Sequence, residues 1–152
     1  MAAVLVAGAA LVGWSGYDRL VRTTGGDPLA WRDVSAEVGS FAPERAAAKS
    51  FVTPTHVLRA LHRLDPQHAH ALPRIAWGRE QLLVVALGPR SATGYDLRVL
   101  RVVDQRSRVL VVLQEQAPRL GRPATAKLVS PYRVIAIPNR HKPVHTTWLD
   151  RS

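Results

Sequence analysis

The stretch from residue 80 to residue 138 constrains the fold of this chain more than any other part of the sequence. It contains four short aliphatic runs, rich in Val, Leu and Ile, which are separated by Gly, Pro or polar residues. Runs of this kind indicate strands, because β-branched side chains fit a pleated sheet and helices need longer periodic segments. The four predicted strands are 81–87, 95–103, 108–114 and 133–137.

The order of apolar and polar residues within these runs predicts how the strands are buried. In the run 95–103 the alternation breaks at 100–102, which predicts either a bulge or a strand that passes beyond the core. The run 108–114 is apolar on both faces, since Leu110 and Val112 lie opposite its other aliphatic side chains. A strand that is apolar on both faces is expected at the centre of a sheet, covered by a helix.

One amphipathic helix is predicted before these strands. Thr53 is a suitable N-cap residue, and Pro54 fits the first helical position, where its missing N–H costs nothing. Asp65 and Pro66 end the helix. Its apolar side chains recur at helical spacing and are Val57, Leu58, Leu61 and Leu64. Such a helix needs an apolar surface to cover, and the predicted sheet supplies one.

Two further strands are predicted upstream, and they complete the expected fold. Residues 31–41 show weak alternation that suits an edge strand. Residues 46–53 fit either a helical turn or a strand, and we favour a strand at 49–53, because Phe51 and Thr53 share one face and Val52 is β-branched. Residues 67–79 are a loop. We therefore expect an α+β fold, a mostly antiparallel β-sheet of five or six strands with one covering helix.

The N-terminal residues 1–17 carry no charged side chain and end in the aromatic residues Trp14 and Tyr17. A membrane-spanning helix needs roughly 17–25 apolar residues, so this segment is near the lower limit. A secretory signal and a buried helix are the alternatives, although the basic start of a signal is missing. We predict a membrane anchor or signal segment at 1–22, a linker at 23–32 and a β-rich domain at 33–152. The protein is then membrane-anchored or secreted, on the extracytoplasmic face.

Composition restricts the classes of partner. The net charge of +10 and the pI of about 11.3 favour anionic partners such as nucleic acid, anionic lipid or a cell-wall polymer. However, the basic residues are scattered, and three Tyr and two Phe provide little surface on which bases could stack. Nucleic acid is therefore an unlikely partner. The absence of Cys excludes disulfides, Cys-based zinc sites and thiol catalysis.

The residue patterns that indicate catalysis or metal binding are weak. His68 and His70 have a usable ligand spacing, but they lie in a predicted loop with few carboxylates. His56 and His62 are six residues apart on a helix and therefore face different sides. Ser91 lacks the Gly-x-Ser-x-Gly elbow of a hydrolase. We predict no enzyme activity, no catalytic residue, no cofactor and no metal, with a Ser91 hydrolase as the weak alternative.

Three motifs resemble the C-terminal domain of the protease complex subunit PrcB family. The segment 87–95 is similar to the family's Leu-Gly-x-Arg-Pro-Thr-Gly-Gly-Tyr-like turn, although 91–93 depart from it. The matching residues are Gly88, Arg90, Gly94 and Tyr95. A strand that ends in Glu115-x-x-Pro118 and a closing strand at 130–138 follow in the family's order. The resemblance covers about 51–138.

The resemblance implies a small β-rich module of the envelope or of the secreted fraction. The family's named member is associated with stabilising or maturing an exported protease. We therefore expect a non-catalytic protein-binding module whose partner is another envelope protein, a protease by analogy. Binding of an anionic cell-wall polymer or lipid surface by the dispersed arginines is the alternative function.

The candidate binding loop lies between two predicted strands. Its residues are Gly88, Arg90, Ser91, Thr93, Gly94 and Tyr95. A glycine-hinged turn that ends in an aromatic residue presents backbone groups and an amphipathic ring for docking. The alternative is purely structural, with Gly94 serving a turn of positive φ and Tyr95 packing against the sheet.

Overall fold

The structure, a computed structural model, describes residues 25–119, 121 and 123–149. The predicted anchor or signal segment at 1–22 lies outside these residues. None of the described helices is long and apolar enough to cross a lipid bilayer.

The described chain forms two four-stranded sheets and one α-helix. The first sheet has the strand order β1-β5-β6-β8, and the second has the order β2-β7-β4-β3. The strands are β1 Asp27–Pro28, β2 Arg32–Asp33, β3 Ala46–Phe51, β4 Glu80–Leu87, β5 Asp96–Asp104, β6 Val109–Gln116, β7 Tyr132–Pro138 and β8 Val144–Trp148. The helix, α1, is Pro54–Leu64. Every strand pair is antiparallel except β6 with β8, which is parallel.

The predominance of antiparallel strands and the presence of one covering helix are confirmed, but the expectation of one sheet of five or six strands is wrong. β4 pairs with β3 and β7, whereas β5 pairs with β6, so the chain changes sheets between β4 and β5. The inner faces of both sheets share one apolar core. Its fully buried members include Leu83, Val85, Leu97, Val111, Leu113, Ile135 and Ile137. Burial on both sides of this interface holds the two sheets together.

The predicted helix is confirmed from Pro54 to Leu64, and it covers the outer face of the second sheet. Val57 and Leu61 are fully buried, whereas Leu58 is 37% exposed and lies outside the apolar face. Thr53 precedes the helix with an extended backbone, but its side chain makes no capping hydrogen bond. A second core forms between the helix and β4 and β7. Its sheet members are Leu82, Val84, Val134 and Ala136.

The expected covering of β6 by this helix is wrong. Val109, Val111 and Leu113 point into the core between the sheets, and Leu110 and Val112 are also buried but lie on the opposite face. The helix covers β4 and β7 instead. Alternate residues of β4 face the helix and the first sheet, so β4 is buried on both faces. The apolar residues on both faces of β6 therefore predicted correctly that the strand is buried. They did not predict which element covers it.

The predicted edge strand at 31–41 is mostly wrong. Only Arg32–Asp33 form a strand, and Ser35–Val38 form a 3-10 helix. Asp33 Oδ1 accepts a hydrogen bond from the Ser35 N–H at 2.9 Å, which turns the chain after two residues.

The remaining predictions concern the strand at 49–53, the bulge at 100–102 and the linker at 23–32. The predicted strand at 49–53 is present as Ala46–Phe51, with an earlier start and end. The bulge predicted at 100–102 is confirmed by a register shift between Val99 and Arg101. Within the predicted linker at 23–32, Asp27–Pro28 pair with the end of β5.

Candidate functional site

The predicted binding loop, residues 88–95, joins the second sheet to the first. Gly88 is buried and has a φ of 73°. A Cβ atom at this position would lie 3.0 Å from Ala46 N and 3.1 Å from Arg45 C. Both contacts are with backbone atoms that cannot move aside easily, so the loop can leave β4 in this direction only with glycine.

Arg90 fastens the loop to the first sheet. Its Nε donates to Glu115 Oε1 at 2.8 Å, and its Nη2 donates to Glu115 Oε2 at 3.3 Å. Its Nη1 donates to the carbonyl oxygens of Leu87 and Pro89 at 3.0 and 3.2 Å. The hydrogen bond to Glu115 raises the pKa of Arg90 above its usual value. The guanidinium therefore serves the loop itself, and little of it remains to contact a partner.

Thr93 fastens the other half of the loop. Its backbone N–H donates to the carbonyl oxygen of Thr125 at 3.0 Å, and its Oγ1 accepts from the Thr125 N–H at 2.9 Å. Gly94 has a φ of 93°, and a Cβ atom there would lie 3.2 Å from the Pro118 side chain. The structural interpretation of Gly94 as a turn residue is therefore correct, and its backbone packs against the segment that follows β6.

A cavity of about 300 Å³ lies between this loop and the segment after β6. We call it the loop groove. It is lined by Thr93, Gly94, Arg98, Pro118, Arg119 and Pro123, among others. The Arg98 side chain is 51% exposed, and its nearest carboxylate oxygen, in Asp96, lies 3.8 Å away. The groove therefore combines a fixed wall with two cationic side chains.

The six predicted loop residues do not share one role. Gly88 and Arg90 hold the loop in place, whereas Thr93 and Gly94 form one wall of the loop groove. Ser91 is exposed and Tyr95 is half-buried. Arg98 and Arg119 were not predicted as site residues, because they lie 21 residues apart on different segments. The Glu115-x-x-Pro118 spacing was the only signal, since Glu115 binds Arg90 and Pro118 contacts Gly94.

A second cavity, of about 450 Å³, lies between β3 and α1. We call it the basic cleft. Its lining includes Arg45, Lys49, His56, Arg59 and Arg63, and no acidic residue is among the described residues that line it. His56, Arg59 and Arg63 lie on α1, and only the folded chain brings β3 beside them.

The histidines that were considered as metal ligands surround Asp65, which follows the helix. His68 Nδ1 lies 2.9 Å from both carboxylate oxygens, and His70 Nε2 donates to the Asp65 carbonyl oxygen at 2.8 Å. Burial raises the pKa of Asp65, but hydrogen bonds from the Ala42 N–H and His68 outweigh it and hold the pKa below its usual value. In the described part of the chain, no three His, Asp or Glu side chains are grouped so that they could hold a metal ion.

Comparison with known protein families gives a match in the second half of the chain. Residues 82–138 match the family model described as PrcB C-terminal. The matched range runs from β4 to β7 and includes the loop, Glu115 and Pro118. No curated protein and no solved structure matches the chain.

Proposed function

Because residues 82–138 are a PrcB C-terminal-like domain, we propose that this protein is a non-catalytic protein-binding module of the cell envelope. Its partner is another envelope protein, and the resemblance to the protease complex subunit points to an exported protease. The apolar and uncharged composition of residues 1–17 supports a place on the extracytoplasmic face, reached through an anchor or a signal.

The observation that supports this proposal best is the fixed geometry of the loop groove. Arg90 and Thr93 each tie the loop to a different segment, through contacts of 2.8 to 3.3 Å. A loop that is already ordered loses little conformational entropy on binding, so its contacts contribute fully to affinity. Ser91, Gly94 and Arg98 are exposed on or beside this fixed loop.

The most direct test attaches a photo-crosslinker at the loop. The chain contains no Cys, so Ser91→Cys provides a single thiol for a benzophenone maleimide. We expect this label to crosslink one specific envelope protein in native membranes. Ser107→Cys is the matched control, because Ser107 is an exposed serine in the turn between β5 and β6. Equal crosslinking from both positions, or none from Ser91, would contradict the proposal.

The two alternative functions predict different results. A binder of wall polymer or anionic lipid should retain these polyanions in place of a protein, and its affinity should fall steeply with added salt. A hydrolase with Ser91 as nucleophile should be labelled by a serine-directed covalent probe and should lose that label in Ser91→Ala.

A further inference from the structure

Among the described residues, none makes a backbone hydrogen bond to the outer edge of β3. β3 is the last strand of the second sheet, and in the described ranges no strand pairs with its outer side. In an antiparallel pair every second residue directs its N–H and C=O away from the partner strand. Three consecutive alanines, Ala46, Ala47 and Ala48, occupy half of this strand, so small side chains flank these groups.

The side chains beside this edge are cationic. Lys49 is opposite Val84 in the register and therefore lies on the face that carries α1. Arg59 and Arg63 of α1 line the same cavity, the basic cleft, and all three side chains are exposed. Among the described residues, no salt bridge involves Lys49, Arg59 or Arg63, although the chain neutralises several other arginines. The charge of the cleft is therefore available to a ligand.

We propose that the β3 edge and the basic cleft together bind an extended acidic peptide segment of a partner protein, which adds to the second sheet as a fifth strand. Main-chain hydrogen bonds to β3 would supply affinity, and the cations would supply specificity. Side chains alternate along a strand, so acidic residues at every second position of the peptide face Lys49, Arg59 and Arg63.

This surface is distinct from the loop groove. The basic cleft lies between β3 and α1, which precede the residues that match the PrcB C-terminal model. A single lysine on an edge strand often serves to prevent pairing with other strands. The additional arginines of α1 exceed what this protective role needs, because they lie on a separate element and point into the same cavity.

The first experiment measures peptide binding to the full chain by fluorescence polarisation. The probe is a labelled synthetic peptide of about eight residues in which Glu alternates with Thr and Val, a length that covers one strand. The double variant Lys49→Glu/Arg59→Glu is expected to weaken binding at least about tenfold. The charge-matched control Arg79→Glu/Arg106→Glu, at two exposed positions outside both cavities, is expected to bind as the unchanged protein does.

The second experiment tests strand addition itself. N-methylation of every second peptide amide should abolish binding when the methylated amides face β3. It should leave binding intact when they face away, because only one edge of the peptide pairs with β3. If the two methylated peptides bind equally well and inorganic polyphosphate binds as tightly, the proposal would be overturned in favour of a general polyanion site. No binding of the peptide would overturn it as well. Retention of the peptide by Arg98→Glu/Arg119→Glu would separate this surface from the loop groove.

Discussion

At the level of single residues, Arg90 makes four side-chain hydrogen bonds that hold the binding loop in place. Its guanidinium binds both carboxylate oxygens of Glu115, and the Glu115 residue is only 6% exposed. Removal of the guanidinium takes two charge-assisted hydrogen bonds away from a buried carboxylate. These contacts predict that replacement of Arg90 lowers the stability of the fold.

Arg90→Ala is therefore expected to lower the free energy of unfolding by about 1.5–3 kcal/mol, the usual value of hydrogen bonds to a charged group. Arg98→Ala is the matched control, because Arg98 is half exposed and its nearest carboxylate is 3.8 Å away. The control should change stability by less than about 0.5 kcal/mol. Urea unfolding measures both. Equal losses in the two variants would contradict the fastening role of Arg90.

Asp65 gives the fold a dependence on pH. Its pKa is lowered in the folded protein, whereas the unfolded chain has the ordinary value of about 3.9. The stabilisation is therefore fully present above about pH 4 and is lost as the pH falls through the lowered pKa. We expect Asp65→Asn to be less stable near neutral pH and to lose less stability on acidification. Urea unfolding midpoints of both proteins, measured from neutral pH to below about pH 4, test this expectation. The same loss of stability with falling pH in both proteins would contradict it.

Among the elements, α1 offers a test of which face is buried. Leu61 is fully buried against the second sheet, and Leu58 on the same helix is 37% exposed. Leu61→Ala is expected to lower the free energy of unfolding by about 2–5 kcal/mol, because it leaves a cavity. Leu58→Ala should cost far less. Chemical denaturation compares the two, and similar losses would mean that the helix is rotated about its axis.

Sequence pattern predicted the elements better than their partners. The helix at 54–64 and the strands β4 to β7 follow from local periodicity and capping residues, which act within a few positions. The pairing of β4 with β7 and the parallel pairing of β8 with β6 depend on contacts between distant residues. The segment 31–41 was mispredicted because a local hydrogen bond from the Ser35 N–H to Asp33 Oδ1 ended the strand early.

In the whole molecule, the fold places the two proposed binding surfaces on one sandwich. The loop groove lies beside the loop that joins the two sheets, and the basic cleft lies beside β3, the edge strand of the second sheet. The position of the loop could be predicted from its glycines. The sequence could not show which basic side chains line the two cavities. In a chain with a net charge of +10, only the fold distinguishes clustered cations from scattered ones.

The proposed function requires that the loop groove binds a protein partner. The decisive measurement is the affinity of the full chain for the envelope protein identified by crosslinking from Ser91. We predict that Arg98→Glu/Arg119→Glu weakens this binding at least about tenfold, while the thermal midpoint stays close to that of the unchanged protein. The charge-matched Arg79→Glu/Arg106→Glu should retain full affinity. Equal losses of affinity in the two double variants, or none in either, would contradict the claim.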